Sequence, residues 1–368
     1  MSEACDRCTR RSWLVGRLSG HLDQIRGNRP AIRGVLALGD RKLIAALSGR
    51  EKAMITAEWS RFDAAATRRE WRASSTLAIC RHGDSFPASL AELPDPPAVL
   101  HLYGDLARFD QLISRSPTIA LIGSRRASAD GLAVARELGR TLSLCGVSVI
   151  SGMALGIDSA AHEGALAADG RTIAVLACGP ERAYPARRKA LHAELARRSV
   201  VVSELPPGTA PYRWAFPARN RIIAAFSQMV VVVEAAERSG SLITAEIAAD
   251  LGRAVGAVPG PPGSWHSGGA NALLRDGAHL IRDARDILDD AFGVEPAGKV
   301  VVSRGPLPLP PGLSDDQRAV IAAVDAGFTT AASVAEYCGS AAEVVGPLTE
   351  LELLGVLERR RDGSYLRL

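Results

Sequence analysis

Aromatic residues are scarce, at 5% of a 368-residue chain, so any local cluster of rings needs a reason. No run of about eighteen uninterrupted apolar residues occurs, which argues against a helical membrane span. Polar and acidic residues stand near the N-terminus where the hydrophobic core of a signal peptide would lie, and the expected compartment is the cytoplasm. Six cysteines (Cys5, Cys8, Cys80, Cys145, Cys178 and Cys338) are too sparse in a chain of this length for a disulfide scaffold. The dinucleotide fingerprint GxGxxG is missing as well. Apolar residues are not: they make up 47% of the chain, enough for the cores of two or three domains. Net charge is +4, but it is unevenly spread. From Ser314 to the C-terminus five arginines face nine acidic residues, a net of −4, which leaves +8 on residues 1–313. A mild basic excess of this kind suits an anionic partner without identifying it.

Hydrophobic periodicity divides the chain. Apolar positions recur at helical spacing in Trp13-Leu14-Leu18-Leu22-Ile25, in Leu36-Leu38-Leu43-Ile44-Leu47 and in Met54-Ile55-Trp59-Phe62, so residues 1–75 read as an N-terminal helical domain. A connector over 76–116 carries a Pro-rich stretch, Leu93–Pro97, and an extended run, Ala98–Tyr103. Strand-then-helix alternation follows. The candidate strands Thr118–Ile122, Val147–Ile150, Thr172–Leu176, Val200–Val202, Met229–Val233 and Ala254–Val258 are short, nearly continuous apolar runs. Helical stretches such as 131–144, 157–168 and 242–251 lie between them. Strands without polar alternation suit a parallel sheet covered by helices on both faces, so residues 76–292 are expected to form a doubly wound, Rossmann-like α/β core. Residues 293–313, rich in Pro and Gly, read as a linker. Three helices (315–324, 330–337 and 341–354) and a hairpin turning at Asp362-Gly363 make residues 314–368 a small winged-helix domain.

In such a sheet ligands bind beyond the carboxyl ends of the strands. Four junctions there are small or polar. Gly123-Ser124-Arg125-Arg126 follows the first strand of the alternation; glycine permits close backbone approach to a phosphate, serine offers a hydroxyl and arginine a bidentate cation. The alternative is a plain turn with a solvated arginine. In SGMALGIDSAAHEGAL (151–166), Asp158 and His162 stand four apart. A helix-start carboxylate interacting with an imidazole one turn along explains them better than acid–base catalysis, because no serine or cysteine nucleophile sits in an obvious activating arrangement. Tyr212-Arg213-Trp214-Ala215-Phe216-Pro217-Ala218-Arg219-Asn220-Arg221 places three of the seventeen aromatics within five residues, interleaved with arginines. Rings for bases and guanidiniums for the phosphates between them are what a single strand requires. The competing account puts Trp214 and Phe216 in the core and pairs the arginines with glutamates. Ser239-Gly240-Ser241, leading to Thr244, is either a phosphate cradle or an ordinary helix cap.

Together these segments resemble the DprA/Smf family of DNA-processing proteins. The ordered matches are IALIGSRRAS, SGMALGIDSAAHEGAL, TIAVLACGPERAYP, VVSELPPGTAP, FPARNRIIAAFS, VVVVEAAERSGSLITAEIA and AVPGPPGSWHSGGANALLRDGA, running from Ile119 to Ala278. The resemblance implies a protein that is not an enzyme, needs no cofactor, binds and protects single-stranded DNA, hands it to the RecA recombinase in natural transformation, and forms a homodimer through the Rossmann domain. It also implies an N-terminal domain of the SAM or helix-hairpin-helix kind. Carried over by motif, the nucleic-acid-binding positions are Gly123, Ser124 and Arg125; Phe216, Arg219, Asn220 and Arg221; and Ser239, Gly240, Ser241 and Thr244. Arg213, three residues before the ring, joins them as a basic position. Ala225-Phe226 departs from the family's common Gly-Leu, which alters packing and removes no charge.

The third C-terminal helix carries Glu343, Glu350 and Glu352 and no basic residue, whereas a helix approaching phosphates should be basic. That domain is therefore expected to contact protein rather than duplex DNA. Cys5-x-x-Cys8 and Cys80-x-His82 could close a tetrahedral zinc site if the N-terminal helices fold against that segment; otherwise they are reduced, unliganded thiols, and no bound metal is expected. A nucleotide-processing enzyme of the lysine-decarboxylase-like phosphoribohydrolase group is the alternative function. It would need a PGGxGT turn, and the nearest segment, 239–246, has one glycine and no such turn.

Overall fold

The apolar runs assemble into one nine-stranded sheet in the computed structural model, which describes residues 3–24, 35–293, 313–326, 328–339, 344–359 and 363–367. The chain divides into two units, 1–301 and 302–368. In the first, strands β1 (Thr76–Cys80), β2 (Val99–Gly104), β3 (Thr118–Gly123), β4 (Ser148–Ser151), β5 (Thr172–Leu176), β6 (Val200–Ser203), β7 (Met229–Glu234), β8 (Ala254–Ala257) and β9 (His279–Leu280) lie in the order β1-β2-β6-β5-β4-β3-β7-β8-β9. From β6 to β9 every neighbouring pair is parallel.

Alternation of side chains across the pleat explains why the strands are apolar throughout. Ile119 and Leu121 of β3 join one cluster with Leu138 and Leu142 of the helix Ala129–Leu144 and with Ile157 of the helix Ile157–Ala167. Ala120 and Ile122 face the other way, toward Ile222, Ile223 and Phe226 of the helix Ala215–Phe226. Each large side chain so buried contributes about 1.5–3 kcal/mol. The expected doubly wound core is present, with one correction. Residues 76–116 are not a bare connector: they supply β1 and β2, which extend the sheet antiparallel beyond β6.

The N-terminal helices do not keep a core to themselves. Leu14, Leu18 and Leu22, spaced by four along the helix Asp6–Gln24, are fully buried in a cluster with Leu205, Trp214, Ala215 and Ala218. Trp214 Nε1 donates to Ser19 O at 3.0 Å. The second unit has helices Asp315–Asp325, Ala331–Cys338 and Val345–Leu353 and a hairpin of β10 (Leu357–Arg359) with β11 (Tyr365–Arg367). Ile25, linker residues 294–312, Ala341 at the expected start of the third helix, Glu343 and the arginines Arg360 and Arg361 of the hairpin turn lie outside the described residues. No helix among the described residues is long and apolar enough to cross a membrane.

Candidate nucleic-acid interface

From β3 the chain proceeds to β4 on one side and later returns to β7 on the other, so the β3–β7 pair is the topological switch point of the sheet. Its carboxyl end is tightly closed. Ser124 N donates to Glu234 O at 2.7 Å, just past a register shift between Ile122 and Gly123. A Cβ at Gly123 would come within 2.7 Å of Glu234 O and 2.6 Å of the Ile157 side chain, so glycine is needed there for strand-to-helix packing. The Glu234 carboxylate accepts from Ser128 N (2.9 Å) and Ser128 Oγ (2.6 Å), and Ser128 Oγ in turn accepts from Gly131 N to cap the following helix. The turn between these anchors holds Arg125 and Arg126 out in solvent.

The second contribution comes from the helix Ala215–Phe226. Pro217 lies in its first turn, where a missing N–H is harmless. Phe216 and Arg219, three apart, share a face. The Arg125 guanidinium lies over the Phe216 ring, 5.3 Å from its centroid, and Tyr184 packs on the same ring at 5.6 Å. Among the described residues no carboxylate is paired with Arg125, Arg126, Arg213 or Arg238, all of them exposed.

Arg219 turns inward. Its guanidinium passes over Gly152, where any Cβ would overlap it, and Nη1 donates to Val175 O. Only 7% of Arg219 is exposed, and its Nε has no hydrogen-bond partner. Burial lowers its pKa to about 10; the Asp158 charge opposes that fall and the Arg125 charge adds to it. Arg219, over Gly152 after β4 and bonded to Val175 of β5, thus carries a buried charge that Asp158 supports and the Arg125 charge opposes. Asp158 itself is pushed up by burial, against the pull of Arg219 and of the Gly152 and Ala154 amides.

Several expectations are corrected here. Arg221 is 3% exposed and fully engaged. It donates to both Glu204 oxygens (2.9 and 2.8 Å), to Asp95 O and to Ala218 O, and pairs with Asp95 Oδ2 at 3.1 Å. It lines a basic cavity of about 740 Å³ shared with Arg7, Arg11, Arg41, Lys42 and Arg81, but offers no free donor to a ligand of the β3–β7 crevice. Thr244 is 2% exposed inside the helix Gly240–Asp250. Ser239 caps that helix and bonds Ser241 Oγ at 2.7 Å, leaving Gly240 exposed at the tip. Asn220 is half-buried. Arg213 precedes Trp214, whose contacts run to the N-terminal helix rather than to Arg125. Asp158 and His162 do not pair: His162 Nδ1 meets Thr172 Oγ1 at 2.6 Å, and burial drives the imidazole down to about 3. Both side chains are buried.

Two rings escaped the sequence reading. Tyr184 extends the Arg125–Phe216 stack and is 40% exposed. Trp265 is 61% exposed and stacks on His266 at 3.7 Å, while His266 Nδ1 lies 3.6 Å from the Glu234 carboxylate. Both belong to loops after strands, and the scarcity of aromatics was the available signal.

Residues 77–292 match the family model described as DNA recombination-mediator protein A. A DNA processing protein DprA of Mycobacterium tuberculosis is 42% identical over 275 residues, covering 73% of this chain and 68% of that one. The Bacillus subtilis DNA processing protein DprA is 40% identical over 205 residues, 56% of this chain and 68% of its own. Among solved structures, DprA from Streptococcus pneumoniae superposes with a TM-score of 0.62 at 30% identity, covering 79% of this chain and 99% of that one. DprA from Helicobacter pylori, described for its single-stranded DNA binding mode, gives 0.53 at 28% identity over 58% and 94%.

Proposed function

The chain belongs to the DprA/Smf family of DNA recombination-mediator proteins, and we propose that it binds single-stranded DNA at the β3–β7 switch point, without altering it chemically, to protect the strand and deliver it to a RecA-type recombinase in the cytoplasm. The observation that carries this reading is the stack of Arg125 on Phe216, beside the buried and under-satisfied guanidinium of Arg219. Ring and guanidinium offer flat faces to a base, at about 1–3 kcal/mol per stacked base. A phosphate drawn to Arg125 would also offset the neighbouring charge of Arg219. Tyr184, on the same ring, and the Ser239–Ser241 cap, in the loop after β7, would supply further contacts. A homodimer formed through the Rossmann domain would present two such positions.

Fluorescence anisotropy with labelled oligo-dT and with a duplex of the same length tests the reading. Tighter binding of the single strand is expected, with affinity falling steeply as salt rises because displaced counterions must be returned. Equal affinity for both, or affinity indifferent to salt, removes the basis for the proposal.

A further inference from the structure

We propose that Cys5, Cys8, Cys80 and His82 form a structural zinc site that fastens the start of the N-terminal helix to the edge strand β1. The inference is independent of the nucleic-acid reading, which uses none of these residues. Their four ligand atoms lie within 4.8 Å of one another, although they come from segments some 75 positions apart. Cys5 and Cys8 stand at the start of the helix Asp6–Gln24, a spacing that places both sulfurs on one side of its first turn. Cys80 closes β1, and His82 follows in the next turn.

The distances suit the ion. Zinc binds sulfur at about 2.3 Å and imidazole nitrogen at about 2.0–2.1 Å, so a tetrahedral site sets sulfur and nitrogen about 3.6 Å apart. Here the Cys5 and Cys8 sulfurs are 3.5 and 3.3 Å from His82 Nδ1. Cys5 N also donates to Cys80 Sγ at 3.4 Å, the kind of backbone contact that orients a thiolate ligand. None of the three thiols is in a disulfide. A lone buried cysteine is an ordinary small hydrophobe; three sulfurs and an imidazole converging on one point are a ligand set. With three thiolates and a histidine all four positions are filled by protein, leaving none for substrate, which makes the role structural. The same junction carries the Ala4 N to Ala78 O hydrogen bond, at 2.9 Å, that lines residue 4 along β1.

The test is metal analysis of untagged, full-length protein purified without chelator. One zinc ion per chain is expected, lost in Cys8→Ser and His82→Ala but retained in Cys145→Ser. Because the first two variants could fail to fold, the intact chain is also loaded with cobalt(II) in place of zinc. A tetrahedral cobalt–thiolate spectrum, with charge-transfer bands that vanish on adding zinc, supports the site. Metal-free protein that still gives no such spectrum after loading overturns it, as does full zinc content in both ligand variants.

Discussion

Replacing Arg221 separates two roles that its motif would merge. The side chain sits in the same short segment as Arg219, yet it is buried against Glu204 and Asp95, whose own side chains are 20–21% exposed. Arg221→Ala removes contacts to both Glu204 oxygens, to Asp95 and to the Ala218 carbonyl, and leaves two partly buried carboxylates without a counter-charge. Breaking a buried ion pair in this way costs about 3–5 kcal/mol, and the partial exposure of the two acids argues for the lower end. A loss of about 3 kcal/mol in a unit of some 300 residues lowers Tm by roughly 5 °C. Thermal melting followed by circular dichroism reads that shift. Anisotropy with oligo-dT, taken well below the new Tm, should show affinity close to that of the unaltered protein, since the guanidinium presents no free donor to the crevice. An unchanged Tm combined with lost binding would refute the reasoning, because it would make Arg221 a ligand contact and not an internal brace.

Arg125→Ala should do the reverse: Tm is expected to hold, because the side chain is exposed and unpaired, while single-strand affinity falls by roughly 5- to 150-fold for a loss of about 1–3 kcal/mol; retained affinity in anisotropy would rule out the switch point as the site. Stability should fall on acidification through the histidine range. His101 and His162 are both held near 3 by burial, against an ordinary 6.5, so the unfolded chain takes up protons that the folded chain refuses. Their contribution is complete above pH 6.5 and is lost as pH drops toward 3, with a slope approaching about 1.4 kcal/mol per pH unit for each histidine; urea unfolding at pH 7, 6 and 5 checks this, and a flat profile would show that these imidazoles are not buried neutral. Ending the chain before Ser314 should leave single-strand affinity nearly unchanged, since the described part of the third C-terminal helix carries Glu350 and Glu352 and no cation; a large loss would assign DNA contacts to that unit.

The parallel core was legible because burial on both faces leaves a local mark, a strand without polar alternation such as Met229–Val233. β1 and β2 were not legible as sheet members. Thr76–Cys80 is short and follows a helix, and only its pairing with Val99–Gly104, register Thr76 to Tyr103, makes it a strand. Nor could sequence decide how the surroundings of Arg219 and Arg221 differ. Composition treats the two alike, while partners distant in sequence, Gly152 and Val175 for one and Asp95 and Glu204 for the other, assign them different work. The zinc ligands show the same limit. Each half has plausible spacing, but whether the halves meet depends on how the first helix docks on the sheet edge.

The inward course of Arg219 also bears on why the switch point would favour an anion at all. A guanidinium as buried as this one normally satisfies all its donors, and leaving one unpaired costs about 1–3 kcal/mol. Here Nε is unpaired, Asp158 lies outside ion-pair reach, and a second cation, Arg125, is held nearby on an aromatic ring. Such an arrangement persists because the surrounding fold imposes it: Gly152 provides the space, Val175 O anchors Nη1, and the Glu234–Ser128 clamp fixes the turn that carries Arg125. On the proposed reading, an anion beside Arg125 would feel both charges, and the already fixed turn that carries Arg125 would limit the ordering entropy lost on binding. A neutral ligand would lack that charge–charge attraction.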